Sequence, residues 1–177
     1  QGINAFTQGM RSVDPKAEVR VIWVNSWFDP GKEREAALTL LSQGADMVTH
    51  HTDSTAAVQA VEEKHKENAS LYSFSYHSDM AKYGPVSQLT GTTHHWGEFY
   101  TRTVKEVLAG TWKSTNVWGG MKDGMIKLAP LNAAVPAPLK ALVGKLEKDI
   151  VAGKLHPFAG PVLGQDGKER VPKGRNM

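Results

Sequence analysis

The pattern of apolar and polar positions switches period several times along the 177 residues. Ile3, Phe6, Met10 and Val13 recur at helical spacing, and Asp14-Pro15 ends that helix. The apolar run Val19-Arg20-Val21-Ile22-Trp23-Val24 reads as a strand over residues 18–24. A turn, Asn25-Ser26-Trp27-Phe28-Asp29-Pro30, leads from it into a helix over 33–41 closed by Gly44. A strand over 46–50 comes next, then His51-Thr52-Asp53-Ser54, where Asp53 or Ser54 is a suitable N-cap for a helix over 55–66. A strand over 71–76 leads to the polar loop His77-Ser78-Asp79-Met80. A short strand over 86–90 precedes a helix with Trp96, Phe99, Tyr100, Val104, Val107 and Leu108 on one face and Gly110 at its end.

Strands alternating with helices through short links predict a parallel sheet with covering helices, an α/β fold. A helix of that kind normally follows a strand, so the helix at Ile3 implies one upstream of Gln1, as if the chain were N-terminally truncated. After Gly110 the regularity lapses. Residues 111–130 are rich in Trp, Gly and Lys, and Gly119-Gly120 and Asp123-Gly124 suggest turns or a hairpin. Residues 136–152 form an amphipathic helix with Leu139, Leu142, Val143, Leu146 and Ile150 inward and Gly153 as its stop. The tail from His156 is extended and turns at Gln165-Asp166-Gly167-Lys168. The expected organisation is thus a ligand-binding lobe over 1–110, a crossover or hinge over 111–133, and a C-terminal helix and tail over 134–177 that complete the lobe.

Composition adds limits. Hydrophobic residues make up 40% and charged residues 22%, as in ordinary globular domains. No uninterrupted apolar stretch is long enough for a membrane span. The net charge of +3 is spread along the chain, without the basic stripe that nucleic-acid binding needs. With no cysteine, disulfides, thiol catalysis and cysteine metal sites are excluded.

The loops 25–30, 51–54 and 77–79 follow three successive strands, and 91–95 follows a fourth. In a parallel sheet these converge on one edge, where ligands bind in open α/β folds. Trp27 and Phe28 either cap a core or offer flat faces to a planar ligand. His50-His51, His77 and His94-His95 lie near the same edge, and adjacent histidines on a strand offer only one ring inward. Imidazole is a common metal ligand, but no His-x-x-x-His pair occurs, so hydrogen bonding to ligand or backbone is the favoured role. Asp53 and Asp79 either form an acid–base pair or serve as a cap and a loop brace. No Gly-x-Ser-x-Gly elbow and no phosphate loop appears.

The ordered series Asn25-Ser26-Trp27-Phe28-Asp29-Pro30, Gly44-Ala45-Asp46, His51-Thr52-Asp53-Ser54 and Tyr76-His77-Ser78-Asp79-Met80 resembles the basic membrane protein family. Trp96-Gly97, Thr111-Trp112-Lys113-Ser114, Trp118-Gly119-Gly120, Leu128-Ala129-Pro130 and His156-Pro157-Phe158 extend the likeness over nearly the whole chain. The resemblance implies a type I periplasmic binding protein, of which this chain is mainly the second Rossmann-like lobe, its parallel sheet flanked by helices. It implies the substrate-binding component of a bacterial ABC importer, periplasmic or lipid-anchored outside the cytoplasmic membrane, that serves a membrane permease and binds a purine base or nucleoside. By the same likeness Trp27 stacks on the base, and Asp53 with its neighbour Thr52 lines the cleft. His77 stands where nucleoside-binding members carry an Asp for the ribose, and His94 stands near the place of a Lys. Two ribose hydroxyls suit a carboxylate better than a neutral imidazole, which accepts once, so a free base such as adenine fits better. No cofactor, metal or nucleic acid is implied. The competing reading is a metal-dependent or acid–base enzyme built on His77, Asp79, Asp53 and His94.

Overall fold

The structure, a computed structural model, describes residues 1–176. The chain divides into two compact units, Gln1–Val21 with Val143–Met177, and Ile22–Leu142. The first unit contains helix α1 (Gly2–Arg11) and an antiparallel hairpin of β5 (Val162–Leu163) and β6 (Glu169–Val171), turned at Gly167 with φ +73°. The second contains α2 (Pro30–Ser42), β1 (Met47–Thr49), α3 (Ala56–His65), β2 (Tyr72–Ser75), β3 (Gln88–His94), α4 (Gly97–Leu108) and β4 (Ile126–Leu128). Helix α5 (Ala137–Val151) crosses the division.

The sheet runs β1-β2-β3-β4. The first three strands are parallel, and β4 returns antiparallel beside the end of β3, with His94 opposite Ile126. Its core is small in side-chain volume. Ala37 of α2, Ala57, Ala60 and Val61 of α3 and Val48 of β1 are buried together, with Leu38, Leu41 and Leu71 packed around them. Alanines let the two helices approach closely, and each buried Val contributes about 1.5–3 kcal/mol. Strands β2 and β3 approach so closely that a Cβ on Gly91 would lie 1.9 Å from Ser75 Oγ and 2.7 Å from the Ser75 carbonyl oxygen.

The N-terminus of α2 follows from Asp29-Pro30. The Asp29 carboxylate accepts the Lys32 amide at 3.1 Å, and proline opens the helix where no donor is needed. Gly44, at φ +91°, turns the chain into β1.

Four expectations need correction. Residues 18–24 form no strand, and Trp23 is 73% exposed. An apolar run becomes a strand only beside a partner, and the outer edge of β1 carries none among the described residues. The strand expected over 86–90 covers 88–94, because pairing with β4 prolongs it through Thr92, Thr93 and His94. His94 therefore stands on a strand, not in a loop. The apolar faces of α4 and α5 are not core. Tyr100, Val104, Val107 and Leu108 on one helix, and Leu139, Leu142 and Leu146 on the other, are exposed. Periodicity marks which face of a helix is apolar, not whether anything covers it.

Candidate functional site

The loops after β1 and β2 and the last residue of β3 meet the turn at 25–29 at one edge of the sheet, within the Ile22–Leu142 unit. The amide of Asp53 donates to the Trp27 carbonyl at 2.8 Å, and the amide of His94 donates to the His77 carbonyl at 3.0 Å. Backbone bonds thus tie the segments in two pairs, the aromatic turn to the loop after β1 and the loop after β2 to the end of β3. Two of these segments hold a non-glycine residue in the left-handed region, Asn25 at φ +51° and His77 at φ +69°. Such conformations persist only where the surroundings enforce them, and they gather at functional sites.

A buried carboxylate braces the edge from below. Glu33 of α2 is 3% exposed. Its Oε2 accepts from the hydroxyls of Thr52 and Ser54, both at 2.7 Å, and its Oε1 accepts from the Asp29 amide at 3.0 Å. Burial pushes its carboxyl up, but the Ser54, Thr52 and Asp29 donors and the nearby His50 outweigh that and hold it below the usual range. Glu33 thereby joins the aromatic turn to the loop that carries Asp53. Ser54 Oγ also accepts the Ala56 amide at 3.2 Å, but the N-cap of α3 is Thr55, whose side chain makes no cap hydrogen bond, so the cap expected at Asp53 or Ser54 falls at the following residue.

Asp53 is left free for the rim. Its Oδ1 lies 2.9 Å from His77 Nε2, and His77 Nδ1 lies 3.0 Å from His94 Nδ1. Above this row runs a line of rings. Trp27, 70% exposed, faces His51 at 6.3 Å between centroids. His51 stacks on Tyr76 at 4.1 Å, and Tyr76 meets His94 edge-on at 5.2 Å. Burial lowers the pKa of His94, and His77, His51 and His95 lower it further. Burial, with the charge of Asp53, raises that of the Tyr76 hydroxyl. The rim therefore offers one broad apolar ring, a line of further aromatic rings and one carboxylate held by an imidazole.

Trp27, Asp53, His77 and His94 are thus brought to one edge. Thr52 is there too, but its hydroxyl hydrogen is committed to Glu33, so toward a ligand it can only accept. Within each histidine pair only one ring joins the row. His95 turns to Thr93, with Nε2 at 2.9 Å from Oγ1, while His50 is largely buried with Nδ1 at 3.0 Å from the Thr52 carbonyl. Asp79 lies apart as a loop brace, accepting from the Ala81 amide and Gln88 Nε2. No group of three or more metal-ligating side chains is arranged to hold an ion among the described residues. Sequence reasoning assigned no role to Glu33 or Tyr76, and gave His51 only the hydrogen-bonding role common to the edge histidines. The one sequence signal for Glu33 is its place in the first turn of a helix opened by Asp29-Pro30, where an acid is equally expected to face solvent.

Known proteins resemble this chain over most of its length. Residues 1–154 match the Bmp family model, described as ABC transporter substrate-binding protein PnrA-like. A purine-binding protein of Brucella abortus (strain 2308) is 48% identical over 174 residues, covering 98% of this chain and 48% of that protein. A Haloferax volcanii protein, provisionally named as an ABC transporter glucose-binding protein, is 35% identical over 160 residues, covering 90% of this chain and 40% of its own length. The chain spans about half the length of the curated relatives it matches. Among solved structures, an ABC transporter solute-binding protein of Aeropyrum pernix K1 shares the fold with a TM-score of 0.68 at 17% identity, over 93% of this chain and 54% of that one.

Proposed function

The chain belongs to the Bmp family of PnrA-like ABC transporter substrate-binding proteins, and we propose that its ring-lined sheet edge is one wall of a cleft for a purine base. The observation that carries this reading is Trp27. Its ring is 70% exposed at the carboxyl edge of a parallel sheet, beside His51, Tyr76 and His94 and next to the Asp53–His77 pair. A planar heterocycle stacked on an indole gains about 1–3 kcal/mol, and the polar groups beside it read the edge of the ring.

Asp53, His77 and His94 are the edge readers, with Thr52 as a further acceptor. His77 already engages Asp53, which leaves one carboxylate oxygen to accept from the ligand. A free base suits this set better than a nucleoside. The purine-binding relative supports the ligand class. The relative named for glucose supports a second reading, since an indole also stacks on the apolar face of a hexose.

In this proposal residues 1–110 and 134–177 belong to one lobe of a two-lobed protein, and 111–133 cross between lobes. The ligand would be delivered unchanged to a membrane permease from outside the cytoplasmic membrane, with the protein periplasmic or lipid-anchored. No helix among the described residues is long and apolar enough to cross a membrane. The test is to incubate the protein with adenine, separate the bound fraction by rapid gel filtration, and identify it by chromatography. Adenine recovered intact with the protein is expected. Its conversion to a product would favour the enzyme reading, and its absence from the protein fraction would remove the purine assignment.

A further inference from the structure

The Asp53–His77–His94 row has a proton count that its geometry determines. A carboxylate has no hydrogen to give, so the 2.9 Å contact to Asp53 Oδ1 places a hydrogen on His77 Nε2. At 3.0 Å, one of the two Nδ1 atoms of His77 and His94 must carry a hydrogen and the other must accept it. While His77 is neutral its single hydrogen is on Nε2, so its Nδ1 accepts and His94 Nδ1 donates. A neutral His94 then has a bare Nε2. That atom has no hydrogen-bond partner and is not sealed from solvent among the described residues.

One further proton reverses this. If it settles on His77, that ring donates from both nitrogens, His94 Nδ1 must accept, and the hydrogen of His94 moves to Nε2. If it settles on His94 itself, Nε2 again carries a hydrogen. We propose that Asp53 and His77 set the hydrogen-bonding polarity of His94 Nε2, an acceptor when the two rings hold two ring protons and a donor when they hold three. His94 is thereby the residue that selects between ligand edges of opposite polarity.

The groups around the row differ at its two ends. Asp53 touches His77, whereas His94 meets Tyr76 edge-on and feels the histidines His51 and His95. His51, with its ring centroid 6.4 Å from that of His77, His50 behind it, and Tyr76 at 4.0 Å complete the surroundings. Glu33 reaches this group through His50, Thr52 and Ser54. If the ligand is a purine, as proposed above, the acceptor form prefers a 6-amino group and the donor form a 6-oxo group. A single hydrogen bond made or lost shifts that preference by about five- to tenfold.

The test is nitrogen NMR of the ligand-free protein with ¹⁵N-labelled histidine, from about pH 8 to about pH 5. The expected result is a bare, acceptor-type Nε2 on His94 at the alkaline end and an N–H there at the acid end. Asp53→Asn should move the change to lower pH. A protonated His94 Nε2 at about pH 8, or rings that titrate without reference to each other, overturns the proposal. A second arm measures adenine against hypoxanthine at both ends. A preference that shifts toward hypoxanthine in acid supports selection by His94, and one that stays flat while the tautomer changes overturns it. A tautomer change without binding of either purine supports the switch and rejects the purine reading instead.

Discussion

The Asp53 amide donates to the Trp27 carbonyl at 2.8 Å, so the exposed indole and the rim carboxylate are fixed to each other through backbone rather than side chain. The consequence is that each side chain can be altered without releasing the other. Trp27→Ala should therefore weaken ligand binding by about ten- to a hundredfold, in keeping with the loss of one stacking partner. Because the ring is exposed, the melting temperature should stay within about 1–2 °C of the parent. Paired calorimetric titrations and thermal melts check both halves, and a variant that melts early would make Trp27 a packing residue instead.

Glu33 shows the opposite relationship, a side chain whose removal frees several segments at once. Glu33→Ala leaves the Thr52 and Ser54 hydroxyls and the Asp29 amide without their acceptor and should cost about 2–4 kcal/mol of stability. Glu33→Gln keeps one oxygen for two of these donors and should cost about half as much. Urea unfolding of the two variants against the parent is the measurement, and equal midpoints would show that the brace carries no load.

Acid should act in two stages, and the sign is set by depressed folded-state values in both. Burial lowers the pKa of His50 from its ordinary 6.5, so the unfolded chain takes up its proton first and stability falls as pH drops below about 6.5. Glu33 is held below its ordinary 4.5, so its contribution is present above that value and is lost as pH falls further. Denaturation midpoints should be level above about pH 7.5, decline from about 6.5, and decline again below about 4.5. The first decline should shrink in His50→Gln, and a decline unchanged by that substitution would assign it to another group.

Gly91→Ala should destabilise by at least about 2–3 kcal/mol, because the added carbon would meet the Ser75 carbonyl, a backbone atom that cannot rotate away. Gly97→Ala is the control, since nothing lies within 4 Å of the position a Cβ would take there. Similar melting temperatures for the two variants would show that β2 and β3 can separate without cost.

The parts of this fold legible in sequence are those decided locally. The α2 start follows from Asp29-Pro30 and its end from Gly44, and the placing of Asp53 and His77 at one edge follows from strand–helix alternation. What escaped is decided by partners distant in sequence. Residues 18–24 have strand composition but no neighbour to pair with. His94 is held on a strand by β4, more than thirty residues later, a pairing visible only as weak turn signals near Gly124. Glu33 could not be told from a solvated helix acid, because its burial depends on the hydroxyls of Thr52 and Ser54 arriving from another loop. Tyr76 reads as the end of a strand and His51 as the start of a loop until their rings are seen stacked at 4.1 Å.

The central claim is that the ring-lined edge receives a purine on Trp27. Its most direct test is isothermal calorimetry of the protein at its natural length with adenine, adenosine and glucose, each repeated with Trp27→Ala. Saturable binding of adenine, weaker binding of adenosine, no heat from glucose and loss of the adenine signal in the variant is the predicted result. Binding of glucose alone, or adenine binding that survives Trp27→Ala undiminished, would contradict it.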